Sequence, residues 1–198
     1  MERQTARGGA ETAAPYTDAA RARLVMAYEA CELADLARAV VPVGGEELGP
    51  DGTTRAPGRV LADAADVLAA ARRFFEAAVV FERMAGADWQ LIGDVLGVPA
   101  RTGRARFARA EAGFGARLTA RGADGPAGAA GEVGPLRDYM VREPLETALD
   151  LDEWVLRHRD GDSGLGRAPV SGGLAPKECR RGSGVVSGSP SDGGTGEV

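Results

Sequence analysis

The stretch WQLIGDVLGVPARTGRARF, residues 89–107, decides how this chain folds. Asp88, just ahead of it, can cap a short helix: its carboxylate accepts from the free N–H groups of the first turn and sits at the favourable end of the helix dipole. Ile92 and Leu96 share one face of that helix. Gly97 ends it by supplying the positive φ that a sharp turn needs. Pro99 can open a second helix, because its missing N–H would be unpaired there in any case. Val98 and Phe107 then close a small core over Ile92 and Leu96, and Gly93 lets the two helices approach closely. The spacing predicts two helices meeting at a tight corner, a helix-turn-helix at residues 88–110.

With Phe107 and Gly103 turned inward, Arg101 and Arg104 point outward, about 60° apart at 100° per residue. Arg109 also points outward, and Arg106 lies at the edge of the buried side. Residues 99–121 hold six arginines (Arg101, Arg104, Arg106, Arg109, Arg117 and Arg121) against Glu111, a local charge of +5 in a chain of −5. An arginine at the front of such a helix can fork onto guanine O6 and N7 in the major groove. Arginines further back can pair with phosphates, which set affinity and register without reading sequence. On this reading Arg101, Thr102 and Arg104 meet base edges of double-stranded DNA, and Arg106, Arg109 and Arg117 meet phosphates.

The stretch resembles the helix-turn-helix of sigma-factor region 4 and of many small bacterial regulators. There a pattern W-x-x-I-G-x-x-L-G-V precedes a recognition helix that often ends in R-F. Trp89, Ile92, Gly93, Leu96, Gly97, Val98, Arg106 and Phe107 match it. The chain also looks like uncharacterised actinobacterial-type helical proteins that join this motif to a preceding long helix and a trailing L-D-x-W-V-x-R-H. Leu151, Asp152, Trp154, Val155, Arg157 and His158 match that segment. The likeness is loose over residues 59–158 and good over 81–110; it implies a DNA-binding transcriptional regulator. Two positions depart from it. Pro99 replaces the usual Ser or Thr cap, and Gly103 stands where Ala, Val or Ile normally packs.

Outward from the motif, periodicity predicts an all-α bundle. Val60, Ala64, Val67, Ala71, Phe74, Ala78, Phe81 and Ala85 repeat at i, i+4 and i+7 from about Arg59 to Met84, widened by Leu61, Leu68, Phe75 and Val79. Such a broad apolar face implies a central helix packed on both flanks. An earlier helix runs from Tyr16 to Val41, capped by Thr17, with Leu24, Tyr28, Cys31 and Ala34 on one face. The Pro- and Gly-rich stretch 42–58 reads as a loop. In the C-terminal helical span 136–159, Leu145 to His158 reads as the last helix, with Leu145, Ala148, Leu149, Val155 and Leu156 as its packing side and Trp154 as the largest anchor. The acids Glu146, Asp150, Asp152 and Glu153 read as a solvated face. Residues 1–15 and 160–198 are expected to be disordered tails and 121–135 a linker, flanking a helical domain at 16–120.

Composition bounds the rest. Lys177 is the only lysine, and the two cysteines, Cys31 and Cys179, cannot form a disulfide framework, which points to a reducing, cytoplasmic setting. No signal peptide and no span of roughly 20 apolar residues is present, so no membrane partner is expected. His158 is the only histidine and makes no metal site by itself. No phosphate-binding glycine loop follows a strand and no Ser-centred elbow occurs, so neither an enzyme nor a cofactor is expected. Because one short helix gives little affinity, a homodimer is expected, joined through helix 16–41 or segment 145–158. The competing reading is a helical protein-interaction module that keeps a vestigial motif.

Overall fold

The structure is a computed structural model that describes residues 16–45, 47–120, 134–159 and 164–174, the side chains of 134–137 excepted. The described chain is all-α: α1 (Asp18–Ala39), α2 (Arg59–Met84), α3 (Trp89–Leu96), α4 (Ala100–Ala120), α5 (Gly134–Arg142), α6 (Pro144–His158) and the short α7 (Ser171–Leu174). No strand occurs among the described residues beyond an isolated bridge between Leu48 and Thr54. The N-terminal stretch 1–15, residues 121–133 of the expected linker, residues 160–163 and residues 175–198, including Cys179, lie outside the described residues.

α1 begins where Thr17 accepts a bond from Ala20 N–H at 3.1 Å. It runs antiparallel to α2: Val25 packs with Val80, and Glu29 pairs with Arg73. The central core joins these helices to α4 and α5 through Ala22, Val25, Val80, Phe114, Met140 and Val141. A second cluster sets Tyr16, Ala20 and Leu24 against Ala148 and Leu151 of α6. Two buried charged groups tie the layers. The Arg21 guanidinium donates to the Val141 carbonyl, and Glu29, only 1% exposed, receives Arg73 Nε at 3.1 Å. Arg73 also donates to Glu32 at 2.8 Å, so one guanidinium from α2 holds two carboxylates of α1.

Several sequence expectations need correction. α2 is enclosed only from Ala70 onward, where Ala70, Val79 and Val80 are buried; Leu61 stays 75% and Leu68 52% exposed. α1 covers one side of this helix, while α3 and α4 reach only as far as Phe75 and Val79 on the other. The last helix stands where it was expected, at Pro144–His158, but the span 136–159 also holds the end of a separate helix ahead of it. Pro144 cannot donate to the preceding turn, so α5 stops at Arg142 and α6 starts afresh at Pro144. The packing side of α6 is Pro144, Thr147, Ala148, Leu151 and Asp152, which leaves Leu145 and Leu149 exposed.

Asp152 is not part of a solvated face. Buried, it accepts from Val170 N–H at 2.6 Å, from Ser171 N–H at 3.1 Å and from the Ser171 hydroxyl. Residues 164–174, inside the tail expected to be disordered, are thereby held on the bundle, with Val170 and Leu174 packed against the second cluster. One buried carboxylate collecting three donors supplies what the apolar content of that segment lacks.

Candidate nucleic-acid interface

The corner of α3 and α4 is built as residue chemistry requires. Asp88 caps α3, accepting from Leu91 N–H at 2.8 Å. Gly97 terminates it with φ +66°, a conformation that L side chains rarely adopt. The returning chain then crosses Gly93 at close quarters: a β-carbon there would lie 2.6 Å from the Val98 carbonyl oxygen. Val98 N–H donates to the Gly93 carbonyl at 2.9 Å, and the Pro99 carbonyl accepts from Thr102 at 2.8 Å and Gly103 at 3.1 Å to start α4.

Beneath the corner, Ile92 and Phe107 pack on Val79 of α2, with Ala87, Trp89 and Leu96 around them. Phe107 meets Phe75 edge-on at 5.6 Å, a favourable quadrupole arrangement. Burying Phe107 contributes roughly 1.5–3 kcal/mol. Gly103 leaves this core thin: a cavity of about 110 Å³ lies between it, Phe75, Leu96 and Val98.

Arg83, which the sequence reading did not single out, locks the corner to the bundle. Its guanidinium donates to Glu111 of α4 at 3.0 Å and to the Ala87 carbonyl ahead of α3 at 2.6 Å, and it lies 4.8 Å from the Trp89 ring centre. Its partners fall four, six and 28 positions downstream in the numbering, so no periodic signal in the chain reveals the cluster.

The six nominated residues do not share one environment. Arg101, Thr102, Arg104 and Arg109 are exposed on α4. Arg106 is also exposed, but its guanidinium lies over Phe107 at 5.0 Å and Phe75 at 5.8 Å, at the flank of α4 nearest α2. Arg117 departs from the outward placement expected of it. It is half-buried, with Nε closed to solvent, and borders a cleft of about 320 Å³ between α1, α2 and α4, floored by Val25, Val80 and Phe114; the exposed Arg106 and Arg109 line the same cleft.

α3 presents a different surface. Leu91 and Val95 are exposed, Val95 to 76%, beside a Gln90–Asp94 hydrogen bond of 2.9 Å. Among the described residues no group of three metal-ligating side chains occurs, and no helix is long and apolar enough to cross a membrane. His158 ends α6, its ring tilted by 38° against that of Trp154 at 4.3 Å, with Nδ1–H donating to the Trp154 carbonyl at 2.9 Å. Comparison with known proteins gives no match to a family model, a curated protein or a solved structure.

Proposed function

We propose that this chain is a sequence-specific binder of double-stranded DNA, acting as a transcriptional regulator, with the first two turns of α4 entering the major groove. The observation that carries this reading is the corner itself: a capped short helix, an αL glycine and a second helix whose open face carries Arg101, Thr102, Arg104 and Arg109. Arg101, Thr102 and Arg104 lie on the first turns, where a recognition helix meets base edges. Ala105, between them, is small enough to let the backbone approach. Arg106 and Arg109 take phosphates from the flanks. Arg117, turned toward the bundle, leaves the set.

A second copy of the chain would double a contact that one short helix makes weakly. The apolar faces of α1 and α6, first nominated for that contact, are largely spent within one chain. Leu61, Leu68 and Phe75, spaced by seven on α2, remain exposed and continue the side of α2 on which the corner sits. They are the better candidates for a two-fold contact.

The test is selection of bound fragments from genomic DNA, followed by a salt titration on the selected duplex. Affinity should fall steeply with salt, by about 0.9 in log–log slope for each phosphate contact. The second reading, an interaction module, is favoured by the exposed Leu91 and Val95 on α3. Absence of duplex binding at low salt would select it.

A further inference from the structure

The two cysteines of the chain, Cys31 and Cys179, stand 148 positions apart. The fold removes most of that separation. Cys31 is a half-buried free thiol on α1, where it packs on the cluster of Tyr16, Ala20, Leu24, Ala148 and Leu151 and borders the groove between α1, α5 and α6. Leu174, the last residue of α7, packs on the same cluster. Cys179 follows Leu174 by five positions. We propose that Cys31 and Cys179 are a reversible redox pair, whose internal disulfide staples the chain beyond α7 to α1.

Reach and anchoring both support the pairing. Five residues extend to about 17 Å, and a disulfide adds about 5.5 Å between Cα atoms. Along α1, at 1.5 Å per residue, Cys31 lies about 17 Å from Ala20, the far end of the helical part of the cluster on that helix. Leu174 is held there, because the Asp152 carboxylate accepts from Val170 N–H at 2.6 Å, from Ser171 N–H at 3.1 Å and from the Ser171 hydroxyl. The segment that must close therefore has five residues counted from Leu174, against 21 counted from His158 at the end of α6. Closure weakens as about the 3/2 power of length, so this anchoring raises the effective concentration of Cys179 at Cys31 about eight-fold.

The oxidant is a low-molecular-weight disulfide. Cys179 stands beside Arg180 and Arg181, and cationic neighbours favour an attacking thiolate. That thiolate displaces one small thiol and forms a mixed disulfide. The Cys31 thiolate then attacks Cys179 Sγ, the internal bond forms and the second small thiol leaves. Two electrons pass from the protein to the small disulfide, and the two thiols released carry the two protons. Burial, and then Asp35, push the Cys31 thiol up to about 11, so the second step is the slow one. It should accelerate about ten-fold for each pH unit between 8 and 10. The bond takes no residue from the exposed face of α4, so it stands or falls independently of DNA binding.

The test uses the full chain, reduced and then equilibrated in buffers of reduced and oxidised glutathione. Mass mapping of unreduced peptides should find Cys31 joined to Cys179 within one chain, at a rate independent of protein concentration. Cys31→Ser should stop at glutathione on Cys179. The effective concentration of the pair should be at least ten-fold higher in the folded chain than in urea, where the whole intervening chain must close. Asp152→Ala combined with Leu174→Ala should lower it several-fold, with circular dichroism retained. Glutathione left on Cys179 of the parent chain with no internal bond, disulfide-linked dimers in its place, equal effective concentrations in buffer and urea, or indifference to the double substitution would each overturn the proposal.

Discussion

Gly93 faces the Val98 carbonyl so closely that a β-carbon at position 93 would lie 2.6 Å from its oxygen and 3.0 Å from the Ala100 nitrogen. Both are backbone atoms in the turn, so neither can swing aside as a side chain would. Gly93→Ala should therefore cost about 1–3 kcal/mol, typical of overpacking, and lower the thermal midpoint by roughly 2–4 °C for each of those kcal/mol. A melting curve identical to that of the parent would mean that the corner closes in some other way.

Gly103 is the opposite case, although it sits only ten residues further on. A methyl group there would rest 3.9 Å from Trp89 Cε3 and 4.0 Å from Ile92 Cγ2, in ordinary contact. Replacing a mid-helix glycine by alanine is worth about 1 kcal/mol in helix propensity alone. Gly103→Ala should raise stability by at least that much in denaturant titrations, while leaving duplex binding intact.

The arginines of α4 should separate by environment. Arg104→Ala should cost about 1–3 kcal/mol on the selected operator and much less on random DNA, as expected for a base contact. Arg109→Ala should weaken both duplexes alike and reduce the salt slope by about 1. Arg117→Ala, at a half-buried position facing the bundle, should leave DNA affinity unchanged. Should Arg117→Ala instead match Arg109→Ala in binding assays, the assignment of contacts along α4 is wrong.

Cys31 should be a sluggish nucleophile. Burial, and after it the Asp35 charge, raise its thiol from 9.0 to about 11. Near pH 8 the reactive thiolate is therefore about 100-fold scarcer than at the unshifted value, since each pKa unit is a factor of ten. In a Cys179→Ser background, alkylation by iodoacetamide should be slow at pH 8 and accelerate up to pH 11. A rate that levels off near pH 9 would contradict the shift.

Asp152 should govern the segment after α6. Asp152→Ala removes the acceptor for Val170 N–H, Ser171 N–H and the Ser171 hydroxyl. Hydrogen exchange at the Val170 and Ser171 amides should then rise sharply while the amides of α1 and α2 keep their protection. Unchanged exchange at 170–171 would show that apolar contacts of Val170 and Leu174 suffice.

The motif was the most legible part of the chain, because its signals are local. A capping aspartate, a glycine that needs positive φ and an apolar i, i+4 pair act within a few residues of one another, and Asp88, Gly97, Ile92 and Phe107 all stand where those signals put them. Pairings across the fold were not legible. Asp152 looks like any surface acid until residues 170–171 are brought to it, and Arg73 looks like a solvated arginine until α1 places Glu29 beside it. The stripe on α2 misled for a related reason. Periodicity marks an apolar face, but only tertiary structure says how much of its length a neighbour covers, and at Leu61 and Leu68 none of the described residues does.

Arg83 has a consequence for how this surface could change. The corner rests on the bundle through a narrow apolar contact, and one guanidinium behind it grips the end of α2, the approach to α3 and the middle of α4 at once. Together with Phe114 in the central core, this grip holds α4 from the rear. On the proposed DNA-binding reading, a substitution at Arg83 would change how the row of α4 arginines meets a duplex without altering any of them, so register and angle of attack could drift while the arginines stay the same.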